Sequence, residues 1–215
     1  LRYLNSALTG TFQFLKETSH VIITLGTSWV YKHLGQDKYV ANCHKIPQKN
    51  FSKELSSVNE IEKSLRNTIG YIQQLNKNCE FIFTVSPVRH AKDGFVENTR
   101  SKSHLLTALH QIVEKENQLH YFPSYELMMD ELRDYRFYAD DLLHPNQVAI
   151  DYIWERFQEI WLAEECFPTM KKVQQIRQGL AHRPFNSNSV AHQKFQQKLQ
   201  QQIELLQQQF PLMKF

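Results

Sequence analysis

The sequence predicts an α/β domain built on a parallel sheet that carries helices on both faces. Short runs of apolar, mostly β-branched residues alternate along the chain with amphipathic segments at helical spacing, which is the pattern of βαβ units. The runs are apolar at successive positions, so we expect strands that are buried on both faces. A chain of 215 residues is long enough to form one such domain with its own core.

The first half of the chain supplies two helices and one strand of this pattern. Residues 2–18 predict a helix, because apolar residues recur there at helical spacing. Residues 20–25 form an apolar run and predict the first strand. Residues 58–76 predict an amphipathic helix, with Ser57 as its N-cap and Glu60 completing a capping box.

The alternation continues in the second half. It predicts the strands 80–85 and 119–122 and the helices 98–116, 125–132 and 146–165. Chemistry in parallel sheets sits beyond the carboxyl ends of the strands. We therefore expect the polar segments that follow Leu25, Val85 and Phe122 to meet at one edge of the sheet.

The last fifty residues differ in composition from the rest. Residues 189–209 are rich in Gln, which is sometimes a sign of disorder. Their apolar residues recur at helical spacing and favour an amphipathic helix that packs on the main body, on a partner or on a second copy. We expect residues 1–165 to form the α/β domain and residues 166–215 to form a helical extension.

Composition excludes several classes of protein. The net charge is only +3, and Lys and Arg are interleaved with acidic residues, so a nucleic-acid partner is not expected. The chain contains no apolar run of the length that a membrane span needs. The cysteines Cys43, Cys79 and Cys166 stand far apart, which favours reduced thiols in a cytoplasmic protein over a disulfide framework or a zinc site. We expect no metal and no cofactor.

The segment that contains Asp141 and His144 carries the sharpest chemical signal. A general base needs an imidazole whose second nitrogen is held by an acceptor, and an Asp three residues earlier in a turn supplies one to Nδ1. The spacing also occurs by chance, and the alternative is a helix N-terminus capped by Asp141 or Asn146. The position after the last predicted strand strengthens the case for the acid–base pair, and both interpretations stay open on these residues alone.

The segments after the first strand contain candidates for holding an oxyanion. Gly26 and Ser28 follow that strand, where backbone N–H groups are accessible to a ligand; the alternative is a simple turn. Asn42 is a candidate side-chain donor, with His44 beside it, or both belong to a structural loop. Cys43 and His44 are neighbours that point apart on an extended segment, so a thiol–imidazole pair is not favoured.

The segment after the second strand contains a candidate for binding a negative charge. Arg89 and His90 follow Ser86-Pro87 and are expected to face the same cleft, where they suit an anionic group of a substrate. The alternative is a solvated turn that leads into a helix capped by Asn98.

Together these motifs resemble the GSCFA-domain family. The resemblance is carried by Val21–Tyr31, Val40–Pro47, Thr84–His90, Asp93–Phe95, Asp130–Tyr138 and Asp141–Pro145, and His182–Phe185 is similar to the tail of the family. It runs from about residue 20 to 157. The family looks related to the SGNH (GDSL-like) hydrolases, so the resemblance implies a three-layer, flavodoxin-like sheet and a bacterial ester or acyl hydrolase without a cofactor.

The resemblance also assigns roles to residues. It implies that His144 is the catalytic base and Asp141 its orienting acid. The oxyanion Asn of the superfamily matches Ser28, so Asn42 is the expected substitute. The Gly-Ser-Cys-Phe-Ala string that names the family, and whose Ser matches the nucleophile, does not occur in these 215 residues. Because Leu1 opens on a helix already in progress, we expect the nucleophile and the first strand of the sheet to lie upstream.

Two functions follow from these observations. The first is a serine hydrolase that acts on a small-molecule or glycan-linked ester. The second is a binding or scaffold protein that keeps the fold without turnover.

Overall fold

A computed structural model describes residues 2–185 and 189–215. The chain divides into two compact units, Leu1–Phe157 and Gln158–Phe215. The boundary that we placed after residue 165 stays a prediction. Its first unit contains, in chain order, α1 (Arg2–Glu17), β1 (His20–Leu25), β2 (Trp29–His33), β3 (Lys38–Val40), β4 (Phe51–Leu55), α2 (Val58–Leu75), β5 (Glu80–Val85), α3 (Phe95–Val113), β6 (Leu119–Phe122), α4 (Ser124–Glu126) and the start of α5 (Gln147–Trp161).

The centre of the first unit is a parallel sheet in the order β1-β5-β6. Its three strands cover the residues predicted from sequence. Ile23 pairs with Phe83, and Phe83 pairs with Tyr121, so the carboxyl ends of the strands lie along one edge. The α/β class is therefore confirmed.

Helices pack on both faces of this sheet. The apolar faces of α2 and α3 cover one side and form the main core with β5, whose Phe81, Phe83 and Val85 are fully buried. The rings of Phe122 and Phe157 lie 5.1 Å apart, which places α5 against the other side. The expectation of burial on both faces holds for β5 but fails for the edge strand β1, where Ile22 is 56% exposed because α5 packs nearer β6.

A second, antiparallel sheet in the order β3-β2-β4 lies in the chain between β1 and α2. The sequence analysis did not predict it. Trp29 pairs with Leu55 at the end nearest β1. The ammonium group of Lys53 lies over the Trp29 ring at 5.1 Å and forms an ion pair with Asp93. The small sheet is thereby attached to the segment that follows β5.

Three helices differ from the prediction by more than one residue at an end. Helix α3 begins at Phe95 rather than at Asn98, because Gly94 adopts a φ of 92° that turns the chain into the helix three residues earlier. Asn98 is therefore not its N-cap. Helix α5 begins at Gln147 and ends at Trp161, and a separate 3-10 turn covers Glu164–Cys166. The segment after α4 continues as a π-helical turn over Leu127–Leu132. The capping box of α2 at Ser57 is confirmed.

The second unit contains α6 (Phe167–Ala181) and α7 (Val190–Gln209). The Gln-rich helix is confirmed, and Ser189 caps it by accepting a hydrogen bond from the backbone N–H of His192. Three buried residues of α7 pack on Ile176 of α6: Leu199, Ile203 and Leu206. A Cβ on Gly179 would lie 2.8 Å from Leu199, so glycine permits this close approach. Within 2–185 and 189–215, no helix is long and apolar enough to cross a membrane.

Candidate functional site

A tight turn holds Asp141 and His144 together at the entrance to α5. Tyr138 and Pro145 form an antiparallel bridge, and the loop between them is closed by the backbone N–H of Ala139, which donates to His144 O at 2.8 Å. Leu142 adopts a left-handed φ of 58°, which allows the chain to reverse within so few residues. The sequence therefore folds locally into a turn that points both side chains to one side.

The Asp141 carboxylate makes three hydrogen bonds inside this turn. Oδ1 accepts from the backbone N–H groups of Leu143 at 2.9 Å and His144 at 3.0 Å, and Oδ2 lies 2.6 Å from Nδ1 of His144. This last distance is that of a hydrogen bond (about 2.6–3.2 Å), as expected for an Asp that supplies the acceptor to Nδ1. The backbone bond from His144, helped by the bond from Leu143 and by the imidazole, lowers the pKa of Asp141 to about 2.

The hydrogen bonds of this turn fix the state of the imidazole. An ionised carboxylate only accepts, so Nδ1 of His144 donates, and Nε2 of the neutral ring keeps its lone pair. Asp141 does not cap α5; that role belongs to Asn146, whose Oδ1 accepts from the backbone N–H of Ala149 at 3.2 Å. The His144 side chain is 59% exposed and accessible to a substrate. The arrangement suits a general base, although its catalytic role stays a prediction.

Arg89 lies beside this turn. Its backbone N–H donates to Leu143 O at 3.3 Å, which ties the segment after β5 to the residue that precedes His144. Its guanidinium lies over the ring of Tyr138 at 4.4 Å and near the ring of Tyr135 at 5.4 Å. The structure therefore brings together the polar segments after β5 and β6, as the strand order predicts.

The segments after β1 and β5 meet around Gly26. The Nε2 atom of His90 lies 3.6 Å from the position that a Cβ on Gly26 would occupy, so the imidazole faces that backbone. The backbone N–H of His90 donates to Oδ1 of Asn98 at 2.9 Å. The Asn98 side chain, a helix cap in the alternative interpretation, therefore holds this segment instead. Burial, reinforced by the positive charge of Lys102, lowers the pKa of His90.

Lys102 is a residue of this region that the sequence analysis missed. Its side chain is 1% exposed, and its ammonium group donates to the carbonyls of Gly26 and Ser86 at 2.6 Å each. Burial lowers the pKa of Lys102 to about 8. A signal was present in the sequence: Lys102 precedes Leu105 and Leu109 by three and seven residues, on the apolar face of α3.

Ser28 is buried, and its polar groups bond to other parts of the chain. It is 2% exposed, its hydroxyl donates to Ser101 O at 3.0 Å, and its backbone N–H donates to Ser101 Oγ at 2.8 Å. Thr27 shares the same partner through its hydroxyl, 2.9 Å from Ser101 Oγ. Ser28 thus joins the end of β1 to α3, and both its hydroxyl and its backbone N–H are occupied.

The loop that contains Asn42 and His44 is exposed. Oδ1 of Asn42 accepts from the backbone N–H of His44 at 2.9 Å, which closes a turn in which His44 has a φ of 47°. In the part of the chain that the structure describes, no hydrogen bond joins this loop to Asp141 or His144. The Asn42 side chain thus bonds within its own loop and to none of the other described candidate residues.

The described residues contain no group of three or more His, Cys, Asp or Glu side chains placed to hold a metal ion. The thiols of Cys43, Cys79 and Cys166 are free, and burial raises the pKa of Cys79. The described side chains at this edge of the sheet include imidazole, carboxylate, guanidinium and ammonium groups.

Comparison with protein families identifies relatives for both parts of the chain. Residues 1–157 match the model of the GSCFA family. This range contains both sheets and the residues around Gly26 and His144. Residues 173–215 match the model of the C-terminal domain of GSCFA domain proteins. Comparison with curated proteins found no match. The first model alone covers well over half of the residues, and the chain belongs to the GSCFA family.

Proposed function

We propose that this protein is a serine ester or acyl hydrolase of the SGNH type, with His144 as general base and Asp141 as its orienting acid. The observation that carries the proposal is the 2.6 Å hydrogen bond from Nδ1 of His144 to Asp141, which leaves Nε2 free to accept a proton. The parallel order β1-β5-β6, with helices on both faces, is compatible with the flavodoxin-like sheet of that superfamily.

The proposed reaction has two halves. A serine hydroxyl attacks the carbonyl carbon of the substrate while Nε2 of His144 takes its proton, and the imidazolium then protonates the leaving alkoxide. Water, deprotonated by the same nitrogen, then attacks the acyl carbon; the bond to the serine oxygen breaks, and the imidazolium returns its proton to that oxygen. The serine is that of the Gly-Ser-Cys-Phe-Ala string, which these 215 residues do not contain.

The backbone N–H of Gly26 is the proposed oxyanion donor. Both polar groups of Ser28 are engaged by Ser101, so Ser28 is the weaker candidate, and the exposed Asn42 would act only if its loop closes on the substrate. The Gly26 carbonyl is held by Lys102, which fixes the orientation of the adjoining peptide groups. A cytoplasmic location and a small-molecule or glycan-linked ester substrate belong to the same proposal.

The test is an esterase assay of the intact protein with p-nitrophenyl butyrate. We expect His144→Ala and Asp141→Asn to lower kcat by about 10²–10⁴-fold, the usual contribution of general base catalysis. His20→Ala is the matched control, because His20 is also exposed and lies at the opposite end of β1. Unchanged activity in His144→Ala would refute the assignment.

A second measurement separates the hydrolase from a scaffold that keeps the fold without turnover. A fluorophosphonate reacts covalently with a serine only where a base activates it. We expect the intact protein to be labelled at one serine and His144→Ala to be labelled much more slowly. Absence of labelling in the wild type would favour the scaffold.

A further inference from the structure

Arg89 presents a cation that is held in place. Its guanidinium lies 4.4 Å from the centre of the Tyr138 ring and 5.4 Å from that of Tyr135. Aromatic faces attract a cation and restrict its side chain to few rotamers. Tyr138 is itself buried, at 7% exposure. The ring on which the Arg89 guanidinium lies is therefore part of the packed structure and not a mobile surface group.

This cation has no carboxylate partner among residues 2–185 and 189–215. Several basic side chains of the first unit do form such pairs: Lys53 with Asp93, Arg66 with Glu62 and Glu116, and Arg100 with Glu97. A guanidinium has several N–H donors in a planar fork that matches a carboxylate or a phosphate. The rings of Tyr135 and Tyr138 satisfy its charge only in part, so the fork can still bind an anion.

The position of Arg89 relates it to the candidate base. The Arg89 N–H is bonded to Leu143 O, one residue before His144, and Tyr138 is bridged to Pro145, one residue after it. The guanidinium and the imidazole therefore flank the same turn. The ammonium group of the buried Lys102 donates to the carbonyl of Ser86, three residues before Arg89, and is a second cation at this edge of the sheet.

We infer that Arg89 binds an anionic group of the substrate, so that the enzyme acts on esters or acyl compounds that carry a carboxylate or a phosphate. The inference rests on the proposed hydrolase function and names its substrate class. Electrostatic steering by Arg89 would act on both binding and reaction of a charged ester, and would leave a neutral ester of the same length unaffected.

The test compares kcat/KM for matched esters. The p-nitrophenyl monoester of succinate carries a carboxylate, a phosphorylated p-nitrophenyl hydroxybutyrate carries a phosphate, and p-nitrophenyl butyrate is neutral. We expect the wild type to prefer at least one charged ester and Arg89→Gln to lower that preference about tenfold or more. The ester whose preference falls identifies carboxylate or phosphate as the ligand. Arg136→Gln is the matched control, because Arg136 also stacks on an aromatic ring, that of Phe137 at 4.8 Å.

The possible failures are distinguishable. If His144→Ala abolishes hydrolysis but Arg89→Gln lowers all three rates equally, the function stands and the inference on Arg89 is wrong. If no ester is hydrolysed, the proposed function fails, and calorimetric titration with succinate and with inorganic phosphate decides the inference. Binding that Arg89→Gln abolishes and Arg136→Gln retains supports an anion site; equal binding in all proteins, or none, overturns it.

Discussion

Replacement of Lys102 by Met gives a stability change whose pH dependence follows from the structure. Burial lowers the pKa of Lys102 from its ordinary 10.5 to about 8, which corresponds to about 3 kcal/mol. Below pH 8 the lysine is charged in both the folded and the unfolded chain. Between pH 8 and 10.5 only the unfolded chain holds the proton, so the free energy of unfolding of the wild type rises with pH.

The Met variant lacks this ionisation. We therefore expect the wild type to gain stability over Lys102→Met by up to about 1.4 kcal/mol per pH unit between pH 8 and 10.5. About 3 kcal/mol is an upper limit for the total, because the bonds to the Gly26 and Ser86 carbonyls favour the charged form. At pH 7 we expect a small difference, since relief of charge burial opposes the loss of two hydrogen bonds.

The assay is urea unfolding of both proteins at pH 7, 8, 9 and 10. Tyrosines and other lysines titrate in both proteins, so their contributions cancel in the difference between the two free energies. Lys92→Met provides the control, because Lys92 lies in the exposed segment after β5. A difference between wild type and Lys102→Met that stays constant from pH 7 to 10 would refute the reasoning.

Three further predictions concern the turn at His144 and the first crossover helix. Leu142→Gly should raise the free energy of unfolding by up to about 1 kcal/mol in urea titrations, because Leu142 is half exposed and has a φ of 58° that glycine adopts without strain. The carboxylate of Asp141, with a pKa of about 2, should stay ionised in an assay from pH 4 to 7. A plot of log kcat/KM against pH should therefore have a slope of no more than one on its acid side, because Asp141 takes up no proton there. Ser57→Ala should lower the thermal stability by about 1 kcal/mol through loss of the capping box on α2.

Each of these predictions has a matched control. Leu142→Ala keeps the strained φ and should not stabilise the protein; equal effects of Gly and Ala would contradict the role of strain. A slope of two between pH 4 and 7 would mean that Asp141 is protonated within that range and would contradict its low pKa. Ser103→Ala removes an exposed hydroxyl from the interior of α3, where it bonds only to Thr99 O, and should change stability by less than Ser57→Ala.

The strands of the parallel sheet could be predicted because burial determines them. The core requires apolar side chains at positions such as Phe81, Phe83 and Val85. The strand can therefore be recognised from its own residues. Strands β2 and β4 could not be predicted in this way. Their side chains are half exposed and mixed in polarity, and what makes them strands is the pairing of Trp29 with Leu55 across the intervening loop.

The same distinction applies to the candidate site. The contact between Asp141 and His144 could be expected because both residues lie in one turn. The neighbours of Gly26 could not, since His90 and Lys102 reach it from segments that the sheet brings together only after folding. The occupied hydroxyl of Ser28 has the same origin, because Ser101 is 73 residues away in sequence. The residue type at these positions predicted which groups could donate or accept a hydrogen bond. Only the fold determined whether another part of the chain already occupied those groups.

The proposed acid–base pair also differs from the rest of the site in how it is assembled. Asp141 and His144 meet across a loop of very low contact order, whose closure costs little chain entropy, so the pair can form as soon as its turn does. The bond from Lys102 to Gly26 spans 76 residues and exists only once the strands have docked. Mild denaturation should therefore disrupt the contacts around Gly26 before it separates Asp141 from His144.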